Sequence, residues 1–243
     1  MKTSTKILII TALLIGVSLG AYDFKLKGEY GKGDYTNPYR EYHLLAFHDF
    51  DQIKLNASTA ANMIITEGPF RVLVDPRAID IVKVRQQGKR LIVDAAFPDN
   101  YWNINSKYVI YVSCPKLSVL QIDSWYTAHG TRIIDTAAHD LNWKPTMLQG
   151  FSTDSLNIQT DHASNLVLQQ NRIGVLNGTM GVTKNSSPAL TISPDNQFHR
   201  THLDILNKGQ LILTGSGTPN LTYRLTDSAT LTLKGAAVKR LYK

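Results

Sequence analysis

Leu156-Asn-Ile158, Leu166-Val-Leu168, Ile173-Gly-Val175, Leu190-Thr-Ile192, Leu203-Asp-Ile205, Leu211-Ile-Leu213, Leu221-Thr-Tyr223 and Leu231-Thr-Leu233 decide how this chain is read. Each is a pair of apolar side chains one residue apart, so both members point to the same face of a short strand. Ser, Thr, Asn, Asp and Gly, the residues that turn a chain, separate the pairs. The pairs start about every ten residues, the self-similarity expected of stacked coils. One such strand cannot bury its pair alone, whereas a column of strands can. The spacing predicts an all-β chain built as a parallel β-solenoid, with Leu156, Leu190, Leu211 and Leu231 inside. A β-sandwich is the rival, and it would pair residues 156–233 antiparallel.

Working outward, residues 43–122 also read as strands: 43–47, 52–56, 62–66, 70–74, 79–85, 90–94, 107–113 and 117–122 are short and rich in Val, Ile, Leu or Tyr. Gln86-Gln-Gly-Lys89 reads as a hairpin connection with Gly88 where positive φ is useful. Residues 123–153, with Trp125, Trp143 and Pro145, fit the period poorly and read as an insertion or a degenerate coil. Residues 21–42 are rich in Tyr and Gly without a period and read as a flexible arm.

The 243 residues are 43% hydrophobic and 19% charged, which suits a packed domain and not a disordered chain. The formal charge of +7 is unevenly placed. Lys2 and Lys6 lie in the first 20 residues; Lys234, Lys239, Arg240 and Lys243 lie in the last ten, and between them acids and bases nearly cancel. A groove tracking phosphates needs its cations on the body, so nucleic acid is not the expected partner. Cys114 is the single cysteine; it sits in an apolar strand and reads as a buried thiol.

Residues 1–20 have the form of an export signal. Lys2 and Lys6 precede the apolar run Ile7–Gly16, and Ser18 and Gly20 stand at −3 and −1 for cleavage before Ala21. The expected location is the periplasm or outer surface of a Gram-negative cell, with an uncleaved inner-membrane anchor as the alternative.

Leu44–Ser58, with Phe50, Ile53 and Leu55, resembles the entry of the GIN-domain family, the autotransporter-adhesin head domain of bacterial cell-envelope proteins. The resemblance continues through Asn62–Thr66, the hairpin set Val82, Val84, Gly88, Leu91 and Val93, and the set Val109, Tyr111, Pro115, Leu117, Leu120 and Ile122. It covers roughly residues 44–235, and it is the order of these loose spacings that carries it. Gly-Ser-Gly turns, common in that family, occur here only at Gly215–Gly217. The resemblance implies right-handed coils in two stacked lobes, about 43–140 and 141–235, and an adhesin-like or surface-interaction role without catalytic residues or cofactor.

The residues themselves point the same way. Asp154, Asp161, His162, Asp195, Asp204 and Asp227 sit beside turn residues without the pairing that glycoside hydrolysis needs. His199 with His202, and His129 with His139, lack the further ligands of a metal site, so neither metal nor cofactor is expected. A carbohydrate-active enzyme on a β-helix is the alternative. For binding, Tyr101, Trp102, Trp125 and Tyr126 fall between strands, where rings stack on the apolar faces of sugars. The expected partner is an envelope or host glycan, or another surface protein. The basic tail at 236–243, with Lys239, Arg240 and Lys243, reads as a cap over the last strand edge or as a contact with anionic lipid.

Overall fold

The computed structural model describes residues 2–33, 36–98, 108–136, 145–215, 220–226 and 228–242, with the side chains of 239–242 left outside that description. The chain divides into two compact units, one through Tyr42 and one from His43 onward.

The first unit is dominated by helix α1 (Thr3–Gly31), 29 residues long and with no residue buried. Its apolar residues Ile7, Leu8, Ile9, Ile10, Leu13, Leu14, Ile15, Val17 and Leu19 lie all round the helix and are exposed. At 1.5 Å per residue the helix is about 43 Å long. By length and composition it could cross a membrane. It continues without a break past the expected cleavage point and takes in Ala21–Gly31, the first part of the stretch read as an arm.

The second unit is built from strands. Its first half holds β1 (His43–Leu45), β2 (Gln52–Leu55), β3 (Met63–Glu67), β4 (Arg71–Val74), β5 (Val82–Gln87), β6 (Arg90–Phe97), β7 (Ile110–Cys114), β8 (Val119–Ile122), β9 (Trp125–Ala128) and β10 (Thr131–Ile134). Its second half holds β11 (Thr146–Gln149), β12 (Ser152–Thr160), β13 (Asn165–Gln169), β14 (Arg172–Met180), β15 (Ala189–Ile192), β16 (Gln197–Ile205), β17 (Gln210–Leu213), β18 (Leu221–Leu225) and β19 (Thr230–Leu233). A nine-stranded sheet runs β1-β4-β7-β3-β11-β13-β15-β17-β19, and a ten-stranded sheet runs β10-β9-β6-β2-β8-β12-β14-β16-β18 with β5 paired to β6.

Among the described residues both sheets are mixed and neither closes on itself, which corrects the expected right-handed parallel β-solenoid of two stacked lobes. The pairs β1/β4, β4/β7, β5/β6 and β9/β10 are antiparallel. For β5/β6 and β9/β10 the physical reason lies in tight turns. His129 and Gly130, at φ 49° and 73°, form a two-residue loop between the paired residues Ala128 and Thr131. Two consecutive positive φ values send the chain straight back on itself, as in a hairpin. Between Gln87 and Arg90 the single positive φ of Gly88, 57°, turns β5 back onto β6.

From β11 to β19 the described pairs are parallel and in register, so the β-sandwich alternative does not describe this half. Register gathers like residues into columns: Leu148, Leu168, Ile192, Leu213 and Leu233 form one, and Leu166, Leu190, Leu211 and Leu231 another. On the other sheet Leu156 follows Leu176, and Leu203 follows Gly178 and Ile158. The inward residues of both sheets join one core with Phe50, Ile53, Leu91, Leu120 and Phe151. Fully burying each such side chain stabilises by about 1.5–3 kcal/mol.

Two pairs behave differently from their reading. Ile173 is buried while Val175 is only half-buried, and the inward set becomes Leu176, Gly178 and Met180. The alternation shifts because the ladder skips Gly174 opposite Asp154, where a Cβ would lie 2.5 Å from the Asp154 carbonyl oxygen. At the end of the ten-stranded sheet, Tyr223 and Leu225 are 44% and 37% exposed. The following tight 3-10 turn, Gly235–Tyr242, brings Ala237 into the core.

Candidate functional site

Of the aromatic residues expected to bind, Tyr101 and Trp102 lie outside the described residues. Trp125 and Tyr126, neighbours on β9, point to opposite sides of the strand. Tyr126 packs edge-on against Phe97, with ring centroids 5.5 Å apart, and belongs to the shell of the core. Trp125 is half-buried, and the Arg132 guanidinium sits 4.2 Å from its ring centroid. A cation over the ring occupies a face that a sugar would otherwise use. In the tail, the side chains of Lys239 and Arg240, and Lys243 itself, are outside the described residues.

Asp161, Asp204 and His162 are held by neighbours. Asp204 pairs with Arg224 at 2.9 Å. His162, buried at φ 48°, places its Nδ1 2.5 Å from Asp123 Oδ1. Asp161 accepts hydrogen bonds from the Thr183 hydroxyl at 2.6 Å and from its backbone N–H at 3.0 and 3.2 Å. Burial by itself pushes the Asp161 carboxyl up, but the bonds from Thr183, together with the His162 backbone and charge, outweigh it and hold the group below its ordinary value. A carboxylate whose pKa is lower in the folded chain stabilises at pH above the unfolded value of about 3.9. That contribution disappears as pH falls through the folded value. Asp161→Asn is therefore expected to lower the urea midpoint at neutral pH, while wild type and variant converge in acid below both values. A difference that stays constant with pH would show that the charge on Asp161 has no part in stability.

Asp227 and His139 lie outside the described residues. Among the described residues no three His, Cys, Asp or Glu side chains come together as a metal site would require. Burial, the largest cause, pushes the Cys114 thiol up to about 12, so it packs as an inert hydrophobe.

A different set of residues forms the concavity that we take as the candidate site. On the outer face of the ten-stranded sheet, β8, β12 and β14 lie side by side in register. Gln121, Gln159 and Thr179 form one row across these strands, and Val119, Asn157 and Asn177 form a second. The rows are two residues apart along each strand, about 6.7 Å. Between them lie Ile158 and Gly178, whose inward positions leave their backbone as the floor. With Val182 these residues line a concavity of about 380 Å³. Val182 is 49% exposed at its rim.

The amides are tied to one another. Gln121 Nε2 donates to Gln159 Oε1 at 3.1 Å, and Asn177 Nδ2 donates to Asn157 Oδ1 at 3.2 Å. An amide carries two donor hydrogens and a carbonyl with two lone pairs, so one bond in a ladder orients it and leaves most of its capacity open. None of the described lining residues is ionisable. On the flanking strands Lys54 stands opposite Gln121, and Asp204 opposite Thr179. Sequence reading passed over these amides because they are the middle residues of pairs such as Leu156-Asn-Ile158. The signal was there in the outward-pointing position of each pair, but only register shows which of those positions adjoin.

Other recesses, one larger and one smaller, lie elsewhere on the same unit. One of about 460 Å³ is lined by Ile173, Phe198 and His199 among others, and one of about 250 Å³ by Phe151, Asn171 and Asp195 among others.

No protein-family model matches the chain. No curated protein matches it either. Among solved structures it is similar to a "putative adhesin" from Bacteroides fragilis, at 13% identity over 79% of this chain and 95% of that one, with a TM-score of 0.43. It is also similar to a "putative adhesin" from Parabacteroides merdae, at 12% identity over 80% and 95%, with a TM-score of 0.35. A "putative lipid binding protein" from Parabacteroides distasonis is 13% identical over 80% and 96%, with a TM-score of 0.29.

Proposed function

We propose that this chain is an exported, noncatalytic interaction module of the cell envelope that takes its ligand on the outer face of the ten-stranded sheet. The uncharged, amide-lined concavity on β8, β12 and β14 carries this reading. Oriented amides recognise a ligand by hydrogen bonds, and they supply neither a proton of suitable acidity nor a nucleophile for hydrolysis. That Asp161, Asp204 and His162 are each engaged by a neighbour supports binding over the alternative of a carbohydrate-active enzyme. The apolar helix α1 supports export, and the order of apolar segments from Leu44 to Ile122 supports kinship with GIN-domain proteins. A second reading of the leader has its own support: α1 is continuous from Thr3 to Gly31, as an uncleaved inner-membrane anchor would be. The periplasm or the outer surface of a Gram-negative cell is the proposed location, and an envelope or host glycan or a surface protein the proposed partner.

The test is retention of isolated envelope material by the full chain and by the double variant Asn157→Ala, Gln159→Ala. Both side chains face outward, so the unfolding midpoint is expected to hold while retention drops at least tenfold. Equal retention by both proteins would overturn the reading. Release of reducing sugar ends by the wild type would do so as well.

A further inference from the structure

We infer that the ligand of this concavity is an uncharged, extended polysaccharide lying across the strands, with about one sugar over each of β8, β12 and β14. The inference rests on the reading above, that this outer face is where the ligand binds, and adds the ligand's chemistry and direction. Three observations carry it.

The first is repeat. Parallel strands stand about 4.8 Å apart, a spacing comparable to the length of one pyranose in an extended chain. Polar side chains recur at that spacing along both walls: Gln121, Gln159 and Thr179 on one, Asn157 and Asn177 on the other. A polymer that repeats its hydroxyls at the same interval meets a like group at every step.

The second is cross-section. A pyranose with equatorial hydroxyls has apolar CH faces above and below and a polar rim. The floor between the walls is strand backbone at Ile158 and Gly178, with Val119 and Val182 as apolar surface. The walls are amides and a hydroxyl, which both donate and accept, and so does each sugar hydroxyl. Because the amides are already oriented by their bonds to one another, little side-chain freedom is lost on binding.

The third is charge. No described lining residue is ionisable, and the nearest rows beyond it carry opposite signs, Lys54 on one side and Asp204, paired to Arg224, on the other. A polyanionic chain crossing all three strands would give up the hydration of its carboxylates to a lining that holds no described cation. A neutral chain has no such penalty.

The experiment titrates the full chain calorimetrically with neutral β-linked gluco-oligosaccharides of one to six residues, with the corresponding uronic acid series, and with an unstructured neutral peptide. Binding is expected to tighten about three- to tenfold per sugar up to the third residue, the worth of one net hydrogen bond each, and then to level off. The uronic acid series is expected to bind at least tenfold more weakly, and the double variant Asn157→Ala, Gln159→Ala to lose at least tenfold on the trimer. Length-independent binding, tighter binding of the acids, or no binding of either sugar series overturns the inference. If the double variant loses envelope retention while the peptide alone binds the wild type, the binding face stands and its ligand class falls. If retention is indifferent to the double variant, both fall.

Discussion

Asn171→Ala is expected to lower the free energy of unfolding by about 4 kcal/mol, read from urea titration of the full chain. Asn171 is 1% exposed and sits at the corner between β13 and β14. Its Nδ2 donates to the Leu148 carbonyl at 3.0 Å and to Asn196 Oδ1 at 3.0 Å, and its Oδ1 accepts from the Phe151 N–H at 3.1 Å. Asn196 repeats the arrangement one strand pair later, donating to the Leu168 carbonyl at 2.7 Å and accepting from the Asn171 N–H at 3.0 Å. The corners have irregular backbone that neither sheet can satisfy, and the two amides act as substitute partners. Alanine leaves a buried donor and a buried acceptor unpaired, at about 1–3 kcal/mol for each. Asn171→Asp tests the same account: it keeps the acceptor for Phe151 but sets a second oxygen against the Leu148 carbonyl, so it should not restore stability. A loss under about 1 kcal/mol for alanine would mean that water or a shifted backbone replaces the amide.

Gly181→Ala is expected to cost about 3 kcal/mol or more, against about 1 kcal/mol for Gly130→Ala. The two glycines have nearly the same backbone, with φ of 72° and 73°. A left-handed conformation penalises alanine by about 1–2 kcal/mol at either position. They differ in surroundings. A Cβ on Gly181 would lie 2.4 Å from the Leu206 carbonyl oxygen, whereas one on Gly130 would meet nothing within 4 Å. Backbone must therefore move at Gly181, and it is held there by its N–H bond to the Thr160 carbonyl and by the Asn207 amide on its own carbonyl. Val182, on the rim of the concavity, follows immediately, so the alanine variant should also bind ligand less well. Equal losses at the two positions, measured by thermal and urea unfolding, would remove close approach as the cause.

Much of the second unit could be read before any coordinates. Alternation in Leu166-Val-Leu168, Leu190-Thr-Ile192 and Leu211-Ile-Leu213 gives strands with one apolar face, and those leucines are buried. Gln86–Lys89 was legible as a hairpin because Gly88 marks the positive φ. That hairpin made one antiparallel pair legible, but the pairing of β9 with β10 was not, since they are turned by His129-Gly130, where a histidine in a left-handed conformation gives no distinctive signal. The aromatic pair on β9 was visible as residues, but its neighbours Arg132 and Phe97 came from the fold.

The amino-acid order by itself determined that the chain makes short strands with one apolar side, that it begins with an apolar segment, and that its body carries little net charge. These are local properties, set by side-chain period and by the composition of a few adjacent residues. Which strands neighbour one another, and so which outward side chains form a row, was decided only by tertiary structure. Gln121 and Gln159 are 38 residues apart and hydrogen-bonded because β8 and β12 pair in register. Pairing of that kind depends on turns, bulges and the shared core acting together, and no short stretch of sequence contains all of them.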